Sequence, residues 1–303
     1  MNTIKRSCFY TYSKCQLRCK PCPRYNYIDK LPDVDMTLNQ FKKYVDASME
    51  YGITEIELSP MVGEILLDPK LPDMLKYLDQ FKEITRIDIF TNGLNFNKDI
   101  CEMFAQYPKF NSHISIYGCN ESVFNEFTNT TGLWNKFILA LTNIILYKPK
   151  ISEFLMRYQI NSKEDIKFSI IKKMLENIYS NFIESSTNNN WNNELIYITD
   201  TLSDGANIRD ELSYGYNCPY LILDTGIWPN GDVGICTNWW DINKNMIIGN
   251  VNKESLSNIY KRVFILQEEQ KNKKYRSLCY KCQVPILENQ INNDAPEKGE
   301  AYV

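Results

Sequence analysis

Cys15, Cys19 and Cys22 give the spacing CxxxCxxC in one short stretch. Three thiolates this close can each take one iron of a cubane cluster, leaving the fourth iron without a protein ligand and open to a small chelating molecule. The same residues also suit a tetrahedral zinc site if Cys8 supplies a fourth thiolate. A second group, Cys218, Cys236, Cys279 and Cys282, ends in a CxxC pair and offers four thiolates, enough for a closed cluster or a zinc ribbon. The chain's one histidine, His113, excludes a His-rich zinc or copper site and any mechanism that needs two imidazoles. Ten cysteines are many, and Met1 to Tyr12 lack the apolar core of a signal peptide. The thiols are therefore expected to be ligands, nucleophiles or core fillers in the reducing cytoplasm rather than disulfides.

The elements that must position these thiols are legible as alternating β-branched or aromatic runs and longer amphipathic stretches, the pattern of βα units on a parallel sheet. Strands are expected near Lys5 to Tyr12, Ile53 to Ser59, Arg86 to Thr91, Ser112 to Tyr117, Glu153 to Ile160 and Glu194 to Thr199. Helices are expected near Leu38 to Tyr51, Leu71 to Phe81, Lys98 to Gln106, Leu133 to Tyr147 and Ile166 to Tyr179. The first has Thr37 and Gln40 at capping-box spacing and puts Phe41, Tyr44, Val45 and Ser48 on one face. Cys15 to Cys22 follow the first strand, and the polar tract Ser185 to Asn193 reads as a surface loop.

After about Asp204 the glycines crowd together, six of the chain's twelve falling between Gly205 and Gly249. Turns and short hairpins follow, with too little apolar periodicity for a core of their own, so the four later cysteines are the natural staple. The segment Asn230 to Cys236 reads as a hairpin turn with a ligand on its return strand, and a helix is expected near Leu256 to Lys271 before the CxxC pair. Residues 1–204 are thus expected to form one domain and 205–303 a second.

The first cysteine motif, placed after the first strand of a βα protein, resembles the radical S-adenosylmethionine (SAM) superfamily, although Pro21 stands where the family often has an aromatic residue or Met. Later segments match in order. Leu58 to Asp68 resembles the family's Gly-Gly-Glu segment, with Val62 in place of the first glycine, so Gly63 and Glu64 are implied to bind the SAM amino group. Thr91, Asn92 and Gly93 match a common Thr-Asn-Gly at the third strand's end, and Ser115 and Arg157 occupy positions that the resemblance implies for SAM contacts. The later cysteines, with Gly231 before Cys236 and the closing CxxC, resemble the SPASM domain and its shorter twitch form. No cysteine follows Cys282, so one auxiliary cluster is the limit.

The resemblance implies an α/β fold, a partial (β/α)6 TIM-like barrel with a small C-terminal cysteine-stapled auxiliary-cluster domain. It implies two 4Fe-4S clusters and SAM as cofactors, with Cys15, Cys19 and Cys22 holding the SAM-binding cluster and Cys218, Cys236, Cys279 and Cys282 the auxiliary one. In a parallel barrel, ligands sit at the strands' C-terminal ends, where these loops converge. The expected activity is reductive SAM cleavage to a 5'-deoxyadenosyl radical, then hydrogen abstraction from a small polar substrate of sugar or cyclitol type, giving oxidation or epimerisation. That preference rests on the single auxiliary cluster and on the lack of a peptide-recognition domain ahead of Cys15. The alternatives are maturation of a ribosomally made peptide and a non-catalytic zinc protein. Flavodoxin or ferredoxin is the expected electron donor.

Cys119, just past the fourth strand, is a candidate hydrogen donor to a substrate radical. Cys8 and Cys101 read as structural thiols, His113 as a satisfied structural histidine, and Trp228, Trp239 and Trp240 as shields around the second cysteine group. The Lys271 to Arg276 run reads as solvated surface. A net charge of -3 argues against nucleic acid as a partner, and no run of about 18 apolar residues is available to span a membrane.

Overall fold

The computed structural model describes residues 4–20, 22, 35–59, 63–157, 170–180, 182–185, 216–217, 221, 224–235, 246–272, 274 and 286–287. Six strands, β1 (Arg6–Phe9), β2 (Glu55–Glu57), β3 (Arg86–Thr91), β4 (Phe110–Ile116), β5 (Ile151–Arg157) and β6 (Phe182–Ser185), lie side by side in chain order. Every neighbouring pair among them is parallel. Parallel neighbours require crossovers. These are supplied by α1 (Leu38–Tyr51), α2 (Leu71–Leu78), α3 (Lys98–Ala105), α4 (Glu121–Thr128), α5 (Trp134–Tyr147) and α6 (Ile170–Glu176).

Helix α1 shows how local sequence fixes an element. Thr37 Oγ1 accepts from the Gln40 amide at 3.2 Å and Gln40 Oε1 accepts from the Thr37 amide at 2.8 Å, closing the capping box. Gly52, at φ +98°, ends the helix in the left-handed conformation that glycine adopts without steric cost. The expected face, Phe41, Tyr44, Val45 and Ser48, is the buried one. Phe41 meets Phe9 of β1 edge-on at 5.4 Å, and burying each such side chain contributes roughly 1.5–3 kcal/mol.

Two elements differ from the expectation. The sixth strand is Phe182–Ser185, directly after α6, whereas the expected strand at 194–199 lies outside the described residues. Four residues ending in Glu-Ser are too few for a periodicity signal, and pairing with β5 defines the strand instead. Helix α4 was also not expected. Asn120 caps it through the Val123 amide at 3.0 Å, and Phe124 and Phe127 anchor it.

Alternation along the strands divides the sheet's two faces. One face packs against helices through Ser7, Phe9, Ile56, Ile87, Ile89 and Ile114, all buried. The other is polar. On it Arg6 pairs with Glu55 at 3.0 Å, Arg86 with Asp88 at 2.6 Å and His113 with Asp88 at 3.0 Å. A curved sheet that turns this face inward has a charged lumen, whose groups are tolerable there because they are paired.

The region after residue 215 joins the same sheet. It contains β7 (Tyr216–Asn217), β8 (Asp224–Ile227), β9 (Asp232–Gly234), β10 (Ile247–Asn250), α7 (Leu256–Lys271) and β11 (Ile286–Leu287). Strand β8 runs parallel to β1, from Arg6 opposite Asp224 to Phe9 opposite Ile227, and β9 and β10 follow antiparallel, making nine strands in one sheet. The expected hairpin is present: Gly231, at φ +85°, donates to the Trp228 carbonyl at 2.8 Å. That hairpin is tied back to α1, because the Pro229 carbonyl accepts from Gln40 Nε2 at 2.9 Å and from Tyr44 Oη at 3.2 Å. Among the described residues no helix is long and apolar enough to cross a membrane.

Candidate functional site: the three-cysteine loop

The loop after β1 carries Cys15, Cys19 and Cys22 and is fastened at several points. The Lys14 carbonyl accepts from the Glu64 amide at 2.9 Å, which joins it to the loop after β2. The Arg18 and Lys20 amides donate, each at 3.1 Å, to the Thr128 and Phe127 carbonyls. Those carbonyls belong to the last turn of α4, where a helix has no intrahelical donors left, so the unforeseen helix is a clamp for the cysteine loop. The Cys22 amide closes a turn onto the Cys19 carbonyl at 3.0 Å.

The three thiols feel one another. Burial pushes the Cys19 thiol well above its ordinary range, and the neighbouring Cys22 and Cys15 add to it. Three crowded thiols of this kind suit thiolate ligands to a cationic centre, whose charge offsets that repulsion. Cys8 does not join the group: its thiol donates to Glu57 Oε1 at 3.6 Å and the Ser59 carbonyl at 3.8 Å. The donor set therefore fits a cluster held by three thiolates.

Gly63 and Glu64 lie beside this loop, where the Glu64 carboxylate is turned inward. It accepts from Thr91 Oγ1 at 2.5 Å, the Asn92 amide at 2.8 Å and the Leu66 amide at 3.1 Å, which leaves little capacity for a ligand. Burial raises its carboxyl above the usual range despite those donors. The sequence signals that matched separately, Gly-Glu and Thr-Asn-Gly, are thus joined to each other through Glu64. Asn92 is buried, and its side chain reaches Gln16 and Cys15.

Ser115 is buried on the inner face of β4. Arg157 ends β5, paired in register with Ser185; its side chain lies outside the described residues. Cys119, partly exposed, follows β4 at the same end of the sheet, with Asn120 Nδ2 at 3.9 Å from its sulfur. His113 is spent structurally, bonded to Asp88 and stacked on Phe90 at 4.4 Å. Cys101 is buried in α3, its thiol pushed up to about 11 by burial. Trp228 packs on Tyr10 at 4.2 Å. Lys271 pairs with Glu268 at 2.6 Å on the exposed end of α7. Cys218, Cys236, Cys279, Cys282, Trp239 and Trp240 lie outside the described residues.

A parallel barrel-like sheet with a three-thiol loop at its strand ends defines a class of proteins that hold an iron–sulfur cluster at the mouth of a partial (β/α)6 barrel. Residues 9–156 match the Radical SAM superfamily, and residues 218–283 match an iron–sulfur cluster-binding domain, SPASM. The chain is a member of the radical SAM superfamily with a SPASM domain, and its cofactors are 4Fe-4S clusters and SAM. Over 139 residues it is 27% identical to a GTP 3',8-cyclase of Clostridium perfringens, covering 46% of this chain and 42% of the cyclase, less than half the length of that relative. In fold it is similar to Streptococcus suis SuiB bound to the precursor peptide SuiA, with a TM-score of 0.63, 15% identity and coverage of 94% of this chain and 70% of SuiB. It is also similar to BtrN in complex with AdoMet and 2-DOIA, with a TM-score of 0.57, 15% identity and coverage of 93% of this chain and 94% of BtrN.

Proposed function

We propose that this radical SAM enzyme acts on a small polar substrate of sugar or cyclitol type, oxidising or epimerising it. Cys15, Cys19 and Cys22 would hold the SAM-binding cluster, and Cys218, Cys236, Cys279 and Cys282 the auxiliary one, in domains spanning about 1–204 and 205–303. When bound, the cluster and SAM supply one electron and a 5'-deoxyadenosyl radical, the chemistry that side chains cannot perform. The chain's own residues fasten the ligand loop through Lys14, Arg18 and Lys20, and Gly63, Asn92, Ser115 and Arg157, at or near the ends of neighbouring strands, would contact SAM. Glu64 contributes by rigidity, fixing two loops against each other.

The observation that carries the reading is the crowding of three thiols on a loop clamped at the strand ends. The small-substrate choice is supported by the polar inner face, where the Ser59 and Ser115 hydroxyls lie one step above the paired Glu57, Asp88 and His113. BtrN, whose structure holds 2-DOIA, supports the same choice. SuiB, bound to its precursor peptide, favours the second reading, a peptide maturase. Cys119 is the candidate hydrogen donor if the outcome is epimerisation. An electron donor such as flavodoxin or ferredoxin would reduce the cluster, in a reducing cytoplasm that keeps thiols available as ligands.

The test is an anaerobically reconstituted variant with Cys15, Cys19 and Cys22 all changed to Ala. It should form no 5'-deoxyadenosine under dithionite and keep about four of about eight irons, the auxiliary cluster's share. Undiminished 5'-deoxyadenosine would refute the assignment. Among candidate substrates, deuterium appearing in 5'-deoxyadenosine from a sugar or cyclitol supports the first reading, and from a peptide the second. Normal epimerisation by a Cys119→Ala variant would remove Cys119 as donor.

A further inference from the structure

Asn92 ends β3 in the Thr-Asn-Gly segment and is 4% exposed. Its side chain is fully oriented by its neighbours. The Leu94 amide can only donate, and it points at Oδ1 from 3.0 Å, with Gln16 Nε2 donating to the same oxygen at 3.3 Å. Oxygen on that side puts the amide nitrogen on the other, where Nδ2 donates to Cys15 Sγ at 3.8 Å. A flipped amide would set N–H against N–H at Leu94 and withdraw the donor from sulfur, so the network decides the assignment. The backbone is equally fixed, its amide donating to Glu64 Oε2 at 2.8 Å. The Leu17 amide also reaches Cys15 Sγ, at 3.4 Å.

We infer that Asn92 is a positioning residue that acts through Cys15, its side-chain N–H stabilising the charge on that ligand sulfur and so raising the reduction potential of the cluster. The inference rests on the reading that Cys15, Cys19 and Cys22 hold the SAM-binding cluster. One-electron reduction adds a negative charge that spreads onto the ligand sulfurs, and a donor aimed at one of them stabilises the reduced form more than the oxidised form. The bond is partly buried, where such an interaction is screened less than at the open surface. The same Glu64 that locks the two loops holds the Asn92 backbone, so the donor is rigid before any ligand arrives.

Asn92→Asp is a selective change, since a carboxylate still accepts from Leu94 and Gln16 but has no hydrogen for Cys15. It also adds charge, so Asn92→Leu, neutral and of similar volume, is the companion. Wild type and both variants, full-length and reconstituted, would be titrated with dithionite while electron paramagnetic resonance follows the cluster signal that changes when SAM is added. At the wild-type midpoint, both variants should show the ratio of reduced to oxidised cluster lowered about tenfold, equivalent to ~59 mV for a one-electron couple. Unchanged midpoints in both, or a shift in Asn92→Asp alone, would overturn the inference, the latter because charge would account for it. Loss of the SAM-responsive signal in either variant would also overturn it, assigning Asn92 to building the loop rather than tuning the cluster. A wild type without any SAM-responsive signal would instead sink the reading of the three cysteines.

Discussion

At the scale of single residues, the inner face of the sheet concentrates ionisable groups whose proton affinities have been moved in opposite directions. Burial pushes the Glu57 carboxyl above the usual range, and Asp88 adds to it, outweighing Arg6 and His113. Burial would raise Asp88 too, but the His113 hydrogen bond and the charges of His113 and Arg86 hold it below its ordinary value. The signs differ accordingly. The folded protein binds the Glu57 proton more tightly than the unfolded chain does, so this contribution to stability is complete below about pH 4.3 and is lost as pH rises through the folded value. Asp88 contributes above about pH 3.9 and loses its contribution as pH falls through its own folded value. Replacing Glu57 with Gln removes its titration while keeping its shape. Urea midpoints taken at about pH 5 and about pH 7 should therefore differ less in Glu57→Gln than in wild type. An equal difference would show that Glu57 does not carry the shift.

At the scale of elements, α1 does two jobs with one residue. Gln40 closes the capping box with its oxygen and holds the Pro229 carbonyl of the β8–β9 hairpin with its nitrogen. Thr37→Ala should cost about 1 kcal/mol, the usual loss for a capping side chain. Gln40→Ala keeps that cap bond, whose donor is the residue-40 backbone amide, and should cost about 0.5–1.5 kcal/mol through loss of the Pro229 tether and of the acceptor for the Thr37 amide. Thermal unfolding of the two variants measures both losses, and an unchanged midpoint in Gln40→Ala would mean the Pro229 contact contributes nothing. The bounds of α1 were legible because Thr37, Gln40 and Gly52 are local signals. Helix α4 was not, since its eight residues contain a single useful apolar repeat, Phe124 and Phe127, and its purpose lies in the distant amides of Arg18 and Lys20. The strand at 182–185 was missed for a related reason, being defined by pairing with β5 rather than by its own composition.

At the scale of the whole molecule, the seam between β1 and β8 joins the region that bears the first cysteine motif to the region that leads to the second. Gly226 makes that seam possible: a Cβ there would come within 2.5 Å of the Tyr10 ring, which lies over the strand and packs on Trp228. On the other face, Thr225 and Tyr260 of α7 share a hydrogen bond of 2.7 Å. Gly226→Val should cost about 1–3 kcal/mol by overpacking and lower the iron retained by the reconstituted protein, since the displaced ring sits at the root of the cysteine loop. Unchanged stability and iron content would show that Tyr10 can swing away and that the seam is loosely packed.

The sequence by itself determined the chemistry: CxxxCxxC after a first strand, a Gly-Glu and a Thr-Asn-Gly at later strand ends, and a CxxC group in a glycine-rich tail are local patterns that need no partner to be read. It also determined the parallel βα order, because burial periodicity is written residue by residue. The tertiary structure decided how those pieces are joined. Glu64 is committed to Thr91 and Asn92, Asn92 to Cys15, α4 to the cysteine loop, and β8 to the edge of β1. Each of these is a contact between groups far apart in the chain, and no periodicity encodes which buried donor will meet which acceptor until the sheet has closed around them.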